Sequence, residues 1–129
     1  MAQNPAWLPF QKLKLHDLPP AIIQQANQAS TGLQLGVFPA LGHCWAIMDN
    51  CLYLWDYTMP NPELIGFEEL SQTISSVKLV TPKPGVFVKE ITHLIVVATA
   101  DTMMLLGVAV QMTPTGAKTI ALYLSLIHI

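Results

Sequence analysis

The residues that could carry chemistry are histidines, cysteines and acids, and their spacing brings no reactive group together. The four histidines show no pairing pattern along the chain: they are His16, His43, His93 and His128. Only His43 has a thiol beside it, that of Cys44, and adjacent residues of a strand point to opposite faces. Two thiols without further Cys or His at ligand spacing also make a poor zinc site. We therefore predict no catalytic residue and no metal site.

The acids and the glycines give no catalytic motif either. Glu68–Glu69 is more typical of a solvated face than of a general acid paired with a general base. The chain has no Gly-rich phosphate loop and no Gly-x-Ser-x-Gly nucleophile elbow. It has six lysines, no arginine and a net charge of −2, whereas nucleic-acid binders present a basic face rich in arginine. We expect a protein that is not an enzyme and binds no cofactor, small-molecule substrate or nucleic acid.

A β-hairpin is predicted around the dipeptide Asp49–Asn50. Two apolar, aromatic-rich runs flank it, residues 44–48 and 51–57, and Asp and Asn tolerate the positive φ of a tight turn. Neither run alternates between apolar and polar residues, so both faces should be covered. The second run contains Trp55–Asp56, a pair that closes strands in many β-propeller blades. An ordinary buried hairpin needs the same residue types, so both interpretations stay open on this evidence.

The register of the hairpin also sets the distance between the two cysteines. With a two-residue turn, Cys44 stands opposite Trp55, and Cys51 stands opposite Met48. Their Cα atoms are then roughly 10 Å or more apart, too far for a disulfide. We expect two packed free thiols.

The composition is unusually apolar for a single domain of 129 residues, with 52% hydrophobic and 11% charged residues. Soluble domains carry about a quarter charged residues, so much of this surface should meet protein or lipid, or the chain is part of something larger. The longest apolar stretch, residues 94–110, is slightly short for a membrane span and holds Asp101 near its centre. A second buried hairpin turning at Ala100–Asp101 accounts for it better. Residues 1–15 show no signal peptide.

Taken in order, the chain predicts short strands separated by turns after one helix. The helix follows Leu18–Pro19–Pro20 and covers residues 21–29. Loops or breakers are expected at residues 58–66 and 81–85. Strands or apolar runs are expected at residues 33–38, 73–80, 86–88, 92–98, 102–110 and 118–129. This pattern indicates an all-β architecture.

Spaced motifs between residues 18 and 110 resemble the amino-terminal β-propeller of the large inner-ring scaffold nucleoporins, named for masses of about 155 to 170 kilodaltons. The residues that carry the resemblance are Gly36, Phe38, Pro39, Trp45, Asp49, Trp55, Tyr57, Pro82, Gly85 and Gly107. The pair His43–Cys44 departs from it, since the family leads us to expect Arg-Ala there.

The resemblance implies an incomplete β-propeller of one to two blades with a short N-terminal helix. It implies a structural constituent of the nuclear pore complex inner ring in the nuclear envelope, supporting nucleocytoplasmic transport. Other inner-ring nucleoporins and pore membrane proteins are the implied partners, with contact to the nuclear-envelope membrane as a further implication. Two alternatives remain: a generic propeller protein-interaction module, and a membrane-associated protein using residues 94–110.

The resemblance also divides the chain. Residues 1–17 are expected to be an irregular lead-in, residues 18–110 a partial propeller, and residues 111–129 a divergent tail. Residues 124–129 resemble translated adapter sequence fused to a truncated transcript. The chain is thus expected to be an amino-terminal fragment with a non-native end.

Overall fold

The computed structural model describes residues 17–59, 62–68, 70–85, 90–112, 114 and 118–125. Within them, one helix precedes eight strands. The elements are α1 (Pro20–Gln28), β1 (Gln34–Phe38), β2 (His43–Met48), β3 (Cys51–Asp56), β4 (Ile65–Phe67), β5 (Ser76–Val80), β6 (Ile91–Ala98), β7 (Met103–Met112) and β8 (Lys118–Ser125). The lead-in before residue 17, the strand expected at residues 86–88, Glu69 and residues 126–129 lie outside the described residues.

The strands form two four-stranded antiparallel sheets in chain order, β1-β2-β3-β4 and β5-β6-β7-β8. A four-stranded antiparallel meander is the unit from which propeller blades are made. The predicted all-β class with a short N-terminal helix is therefore confirmed, and the strands make two blade-sized units.

Both predicted hairpins are present. In the first, Met48 pairs with Cys51, and Asp49 in the turn has a φ of 53°. In the second, Ala98 pairs with Met103, and the turn is closed by Thr99 N–H donating to the Thr102 carbonyl at 2.9 Å. The apolar stretch 94–110 is thus mostly β6 and β7 of one sheet. Among the described residues, no helix has the length and apolarity needed to cross a membrane.

The main core lies between the two sheets. Alternate residues of each strand point into it, because side chains in a strand alternate between faces. The first sheet contributes Ile47, Leu52, Leu54 and Phe67, and the second contributes Ile95, Val97, Leu106, Val108 and Ile120. This shared core holds the two sheets against one another.

The helix covers the other face of the first sheet. Ile22 of α1 is fully buried and belongs to a second cluster with Ala46, Met48, Tyr53 and Trp55. Pro20 stands in the first turn of the helix, where its missing N–H costs nothing. Both faces of the β2–β3 hairpin are covered, as its lack of alternation predicted.

Two elements differ from the sequence prediction. β5 begins at Ser76, three residues later than expected, because the backbone N–H of Ile74 donates to the Asp49 carbonyl in the first sheet. β4 has only three residues and lies partly inside the predicted loop 58–66. It was not predicted, because so short a strand containing a glycine shows no alternation of apolar and polar residues.

Candidate functional site: the helix-covered hairpin

The helix-covered hairpin, β2 and β3 with α1 above them, holds three of the residues that carry the nucleoporin resemblance, Trp45, Asp49 and Trp55. Trp45 and Trp55 lie on opposite faces of it, because Trp45 packs against the inter-sheet core and Trp55 against the helix. Trp55 is buried, with 3% of its surface exposed, as expected of a core aromatic. Half-buried Tyr57 directly follows β3.

Gly36 and Trp45 are matched across the β1–β2 pair. They stand directly opposite each other, and a Cβ on Gly36 would lie 2.6 Å from Nε1 of the Trp45 indole and nearer still to two ring carbons. The Trp45 ring also meets Phe38, with ring centroids 6.0 Å apart. Only a residue without a side chain lets the indole lie there.

The turn after β1 is built by Pro39 and Gly42. The Gly42 N–H donates to the Pro39 carbonyl at 3.1 Å, and the Leu41 N–H donates to the Phe38 carbonyl at 3.0 Å. Gly42 has a φ of +67°, a conformation that glycine adopts without steric cost. This turn returns the chain into β2 in register with β1.

Asp49, in the hairpin turn, is the most connected polar residue of the site. Its carboxylate accepts hydrogen bonds from the Thr31 hydroxyl at 2.7 Å, the Thr31 N–H at 2.8 Å and the Ser30 N–H at 3.1 Å. The Thr31 hydroxyl and N–H, followed by the Ser30 N–H, lower the pKa of Asp49 because they stabilise its charged form. The Asp49 N–H in turn donates to Thr31 Oγ1 at 3.1 Å.

The same turn also holds the link between the two sheets. The Asp49 carbonyl accepts from the Ile74 N–H at 2.9 Å, and Asn50 Nδ2 donates to the Leu70 carbonyl at 2.6 Å. The sequence predicted this dipeptide as a turn from its tolerance of positive φ. It gave no signal for these two bonds, because the partners stand 25 and 20 positions away.

A polar group lies beside the helix. The Tyr53 hydroxyl donates to Glu68 Oε1 at 2.5 Å. Burial, and then this bond to Glu68, raise the pKa of Tyr53. Tyr53 and Cys51 line a cleft of about 160 Å³ with Gln25, Gln28 and the hairpin turn. Glu68 itself is exposed, so the tyrosine rather than the carboxylate is the buried partner.

The thiols are free, as predicted, and stand opposite the predicted residues. Cys44 pairs with Trp55 and Cys51 with Met48, and both are half-buried without a disulfide. Burial raises the pKa of Cys44 and Cys51, which keeps the thiols protonated and weakly nucleophilic. Within the described residues, no cluster of three or more His, Cys, Asp or Glu could hold a metal ion. The arrangement ties strands and helix together and offers no activated nucleophile.

The remaining residues of the resemblance lie in and around the second sheet. Gly85, in the link after β5, has a φ of +81°, and half-buried Pro82 precedes it. Gly107 of β7 stands opposite Leu94 and Tyr123. A Cβ on Gly107 would lie 3.0 Å from Cδ1 of Ile91, so this glycine makes room for the first residue of β6.

The fold and these residues together define an N-terminal nucleoporin domain. The family model described as Nup133 N terminal like (Nucleoporin_N) matches residues 7–126, and the chain belongs to this family. The resemblance to the large scaffold nucleoporins is thereby confirmed. The domain boundaries at residues 17 and 110 stay predictions.

The relatives are nucleoporins of the same type. NUP170 of Chaetomium thermophilum is 48% identical over 122 residues, covering 95% of this chain and 9% of that protein. A probable nucleoporin of Schizosaccharomyces pombe is 42% identical over 105 residues, covering 81% of this chain and 8% of that protein. Nup154 of Drosophila melanogaster, a nuclear pore complex protein, is 33% identical over 91 residues, covering 70% of this chain and 7% of that protein. The chain spans less than a tenth of the length of these relatives.

A solved structure gives the same fold. The crystal structure of the Chaetomium thermophilum Nup170 N-terminal domain in complex with Nup53 matches with a TM-score of 0.82 and 49% identity, covering 92% of this chain and 17% of that chain. The two sheets are therefore a fragment of the β-propeller of such a domain, as the resemblance predicted.

Proposed function

We propose that this chain is part of the N-terminal β-propeller of a scaffold nucleoporin in the inner ring of the nuclear pore complex, supporting nucleocytoplasmic transport. The observation that carries the proposal is the 48% identity to NUP170 across 95% of the chain. Since the chain spans a small part of its relatives, the role belongs to the longer protein that carries it.

The helix-covered hairpin supports a structural rather than a catalytic role. Its polar side chains form hydrogen bonds within the chain, such as those between Asp49 and Thr31 and between Tyr53 and Glu68. The groups with shifted pKa values include two thiols and a phenol that stay protonated, and none of them is an activated nucleophile. We infer that the chain does no chemistry on a substrate.

Binding of other nucleoporins is the second part of the proposal. The Nup170 N-terminal domain that this chain matches was crystallised with Nup53. We infer that the propeller containing this chain binds a nucleoporin as well, with pore membrane proteins and the nuclear-envelope membrane as further contacts.

Localisation of the full-length protein tests this proposal. A fluorescently tagged full-length protein should give a punctate nuclear rim that coincides with a known pore marker, because a scaffold subunit is built into the pore. The control is a version of the full-length protein that lacks this segment and carries the same tag. It shows whether the rest of the protein reaches the nuclear rim without the segment.

The alternatives predict other outcomes. Diffuse cytosolic staining with unrelated proteins recovered by pull-down would favour a generic propeller interaction module. Plasma-membrane staining, together with retention of the protein in the membrane fraction after carbonate extraction, would favour a membrane-associated protein using residues 94–110. Either result would overturn the assignment to the pore.

A further inference from the structure

We propose that a cleft between the two sheets binds an arginine or lysine side chain of a partner polypeptide. The proposal rests on the proposed function, since the partner is taken to be another protein of the pore. The inter-sheet cleft has a volume of about 310 Å³ and is lined by residues that include Leu41, His43, Asp56, His93, Val110 and Ile120. It lies at one end of the shared core, apart from the helix-covered hairpin turn.

One wall of the inter-sheet cleft is a polar cross-strand pair. His43 and Asp56 are direct partners in the β2–β3 register, so their side chains stand on the same face with Cβ atoms about 4.5–5.5 Å apart. This face is turned toward the second sheet, because Ile47 and Leu54, at even spacing from the pair, lie in the inter-sheet core.

The His43 ring presents an unused acceptor to the cleft. Nδ1 lies 2.8 Å from the Leu41 carbonyl, and a carbonyl can only accept, so Nδ1 carries the hydrogen and Nε2 has the lone pair in the neutral ring. Only 4% of His43 is exposed. Every fully buried side-chain N or O atom of the described residues has a partner, and Nε2 has none among them, so Nε2 must be the part of the ring that the cleft leaves open.

Asp56 adds a second acceptor beside it. Its Oδ1 accepts from the Thr58 N–H at 2.8 Å and from the Thr58 hydroxyl at 2.5 Å, which fix the carboxylate in place. Its Oδ2 has no hydrogen-bond partner among the described residues. The polar wall thus offers two acceptors and a negative charge, and a cationic hydrogen-bond donor would complement both.

The opposite wall is aliphatic apart from His93 of β6, which also lines the cleft. Val110 and Ile120 are direct partners in the β7–β8 register, so they too share one face. Ile120 is buried, whereas Val110 is 42% exposed although it faces the cleft. A side chain placed between the walls would cover Val110 with its stem and meet His43 and Asp56 with its head.

Arginine and lysine have this combination of an aliphatic stem and a cationic head. Arginine suits it better, because its planar fork carries five N–H donors that can serve two acceptors together. An apolar side chain would remove water from the carboxylate without replacing its hydrogen bonds, and an anion would be repelled. The chain has no arginine, and its described cationic side chains, Lys78 and Lys83, are not among the cleft-lining residues. Neither of these two lysines supplies the donor, and we assign it to the partner.

The test uses the full-length protein and three capped tripeptides. The probes are acetyl-Leu-Arg-Leu-amide, the same peptide with citrulline in place of arginine, which removes the charge and keeps the shape, and the same peptide with glutamate. Binding is measured by saturation-transfer NMR and by titration at two salt concentrations. We expect the arginine peptide to bind about tenfold more tightly than the citrulline peptide, as for one charged hydrogen bond, and the glutamate peptide not to bind.

The decisive variant is Asp56→Asn, which keeps an acceptor oxygen for Thr58 and removes the charge. It should weaken the arginine peptide about tenfold while the melting temperature stays within a degree or two of the wild type. Asp101→Asn, the same change on the exposed β6–β7 turn, should leave binding unchanged. Equal binding of the arginine and glutamate peptides, or equal affinity of the Asp56→Asn protein, would overturn the proposal.

The two proposals fail separately. A protein at the nuclear rim that does not discriminate the peptides contradicts the cleft assignment alone. A protein absent from the rim that binds the arginine peptide through Asp56 supports the cleft and contradicts the pore assignment.

Discussion

At the scale of single residues, the site is organised by two positions whose neighbours leave them no alternative. Gly36 is a glycine because the Trp45 indole occupies the space a Cβ would need. Asp49 is an acid with positive φ because its carboxylate must accept from the Thr31 and Ser30 donors while its backbone makes the turn. In both cases the residue type follows from contacts across the sheet or with a distant loop.

A substitution at Gly36 tests this account. Gly36→Ala should destabilise the N-terminal domain of the full-length protein by about 1–3 kcal/mol, because the added methyl forces the Trp45 ring out of its packing. Gly32→Ala is the matched control, since nothing lies within 4 Å of the Cβ it would add, and it should change stability by less than about 0.5 kcal/mol. Denaturant unfolding followed by tryptophan fluorescence measures both. Equal effects of the two variants would contradict the close packing of Gly36 on Trp45.

At the scale of elements, α1 acts as the cover of the first sheet. Two adjacent isoleucines show its orientation, because Ile22 is fully buried against the hairpin whereas Ile23 is 49% exposed. Buried aliphatic area is the main source of stability for a short helix of nine residues, since helices of that length are marginal alone.

The adjacent isoleucines provide a paired experiment. Ile22→Ala should lower the free energy of unfolding of the domain by about 2–5 kcal/mol, the range for truncating a buried isoleucine. Ile23→Ala makes the same chemical change one position away and should cost less than about 0.5 kcal/mol. Thermal and denaturant unfolding of the two proteins give the comparison. If Ile22→Ala were as mild as Ile23→Ala, the helix would not be packed on the hairpin.

At the scale of the whole molecule, the two sheets share one core but leave their outer strands open. β1, β4, β5 and β8 are edge strands within the described residues. Open edges present unpaired backbone groups that recruit other strands. Exposed apolar side chains add to this on β1, where Leu35 and Val37 are 46% and 48% exposed.

We therefore expect the isolated chain of 129 residues to self-associate rather than to melt as a monomer. Size-exclusion chromatography with light scattering should show oligomers that grow with concentration. Val37→Lys should reduce association, because a lysine on an edge strand opposes strand pairing. Ile23→Lys, at a similarly exposed position on the helix, should reduce it less. A concentration-independent monomer with one cooperative transition would contradict the expectation.

Patterns in the sequence predicted the turn at Asp49–Asn50, the separation of Cys44 from Cys51 and the nucleoporin family. These depend on residues close together in the chain or on motifs at kept intervals, which patterns record directly. The sequence also indicated that both faces of the hairpin are covered, but not that α1 covers one of them.

Which distant residues meet becomes visible only in the folded chain. The tie from Asp49 to Thr31 and the bond from Tyr53 to Glu68 join positions 18 and 15 residues apart, and the inter-sheet cleft joins β2 and β3 to β7 and β8. Such contacts depend on how the sheets pack and on the register of each strand pair. Packing and register follow from the sum of many weak apolar contacts in the core, so no single spacing in the sequence records them.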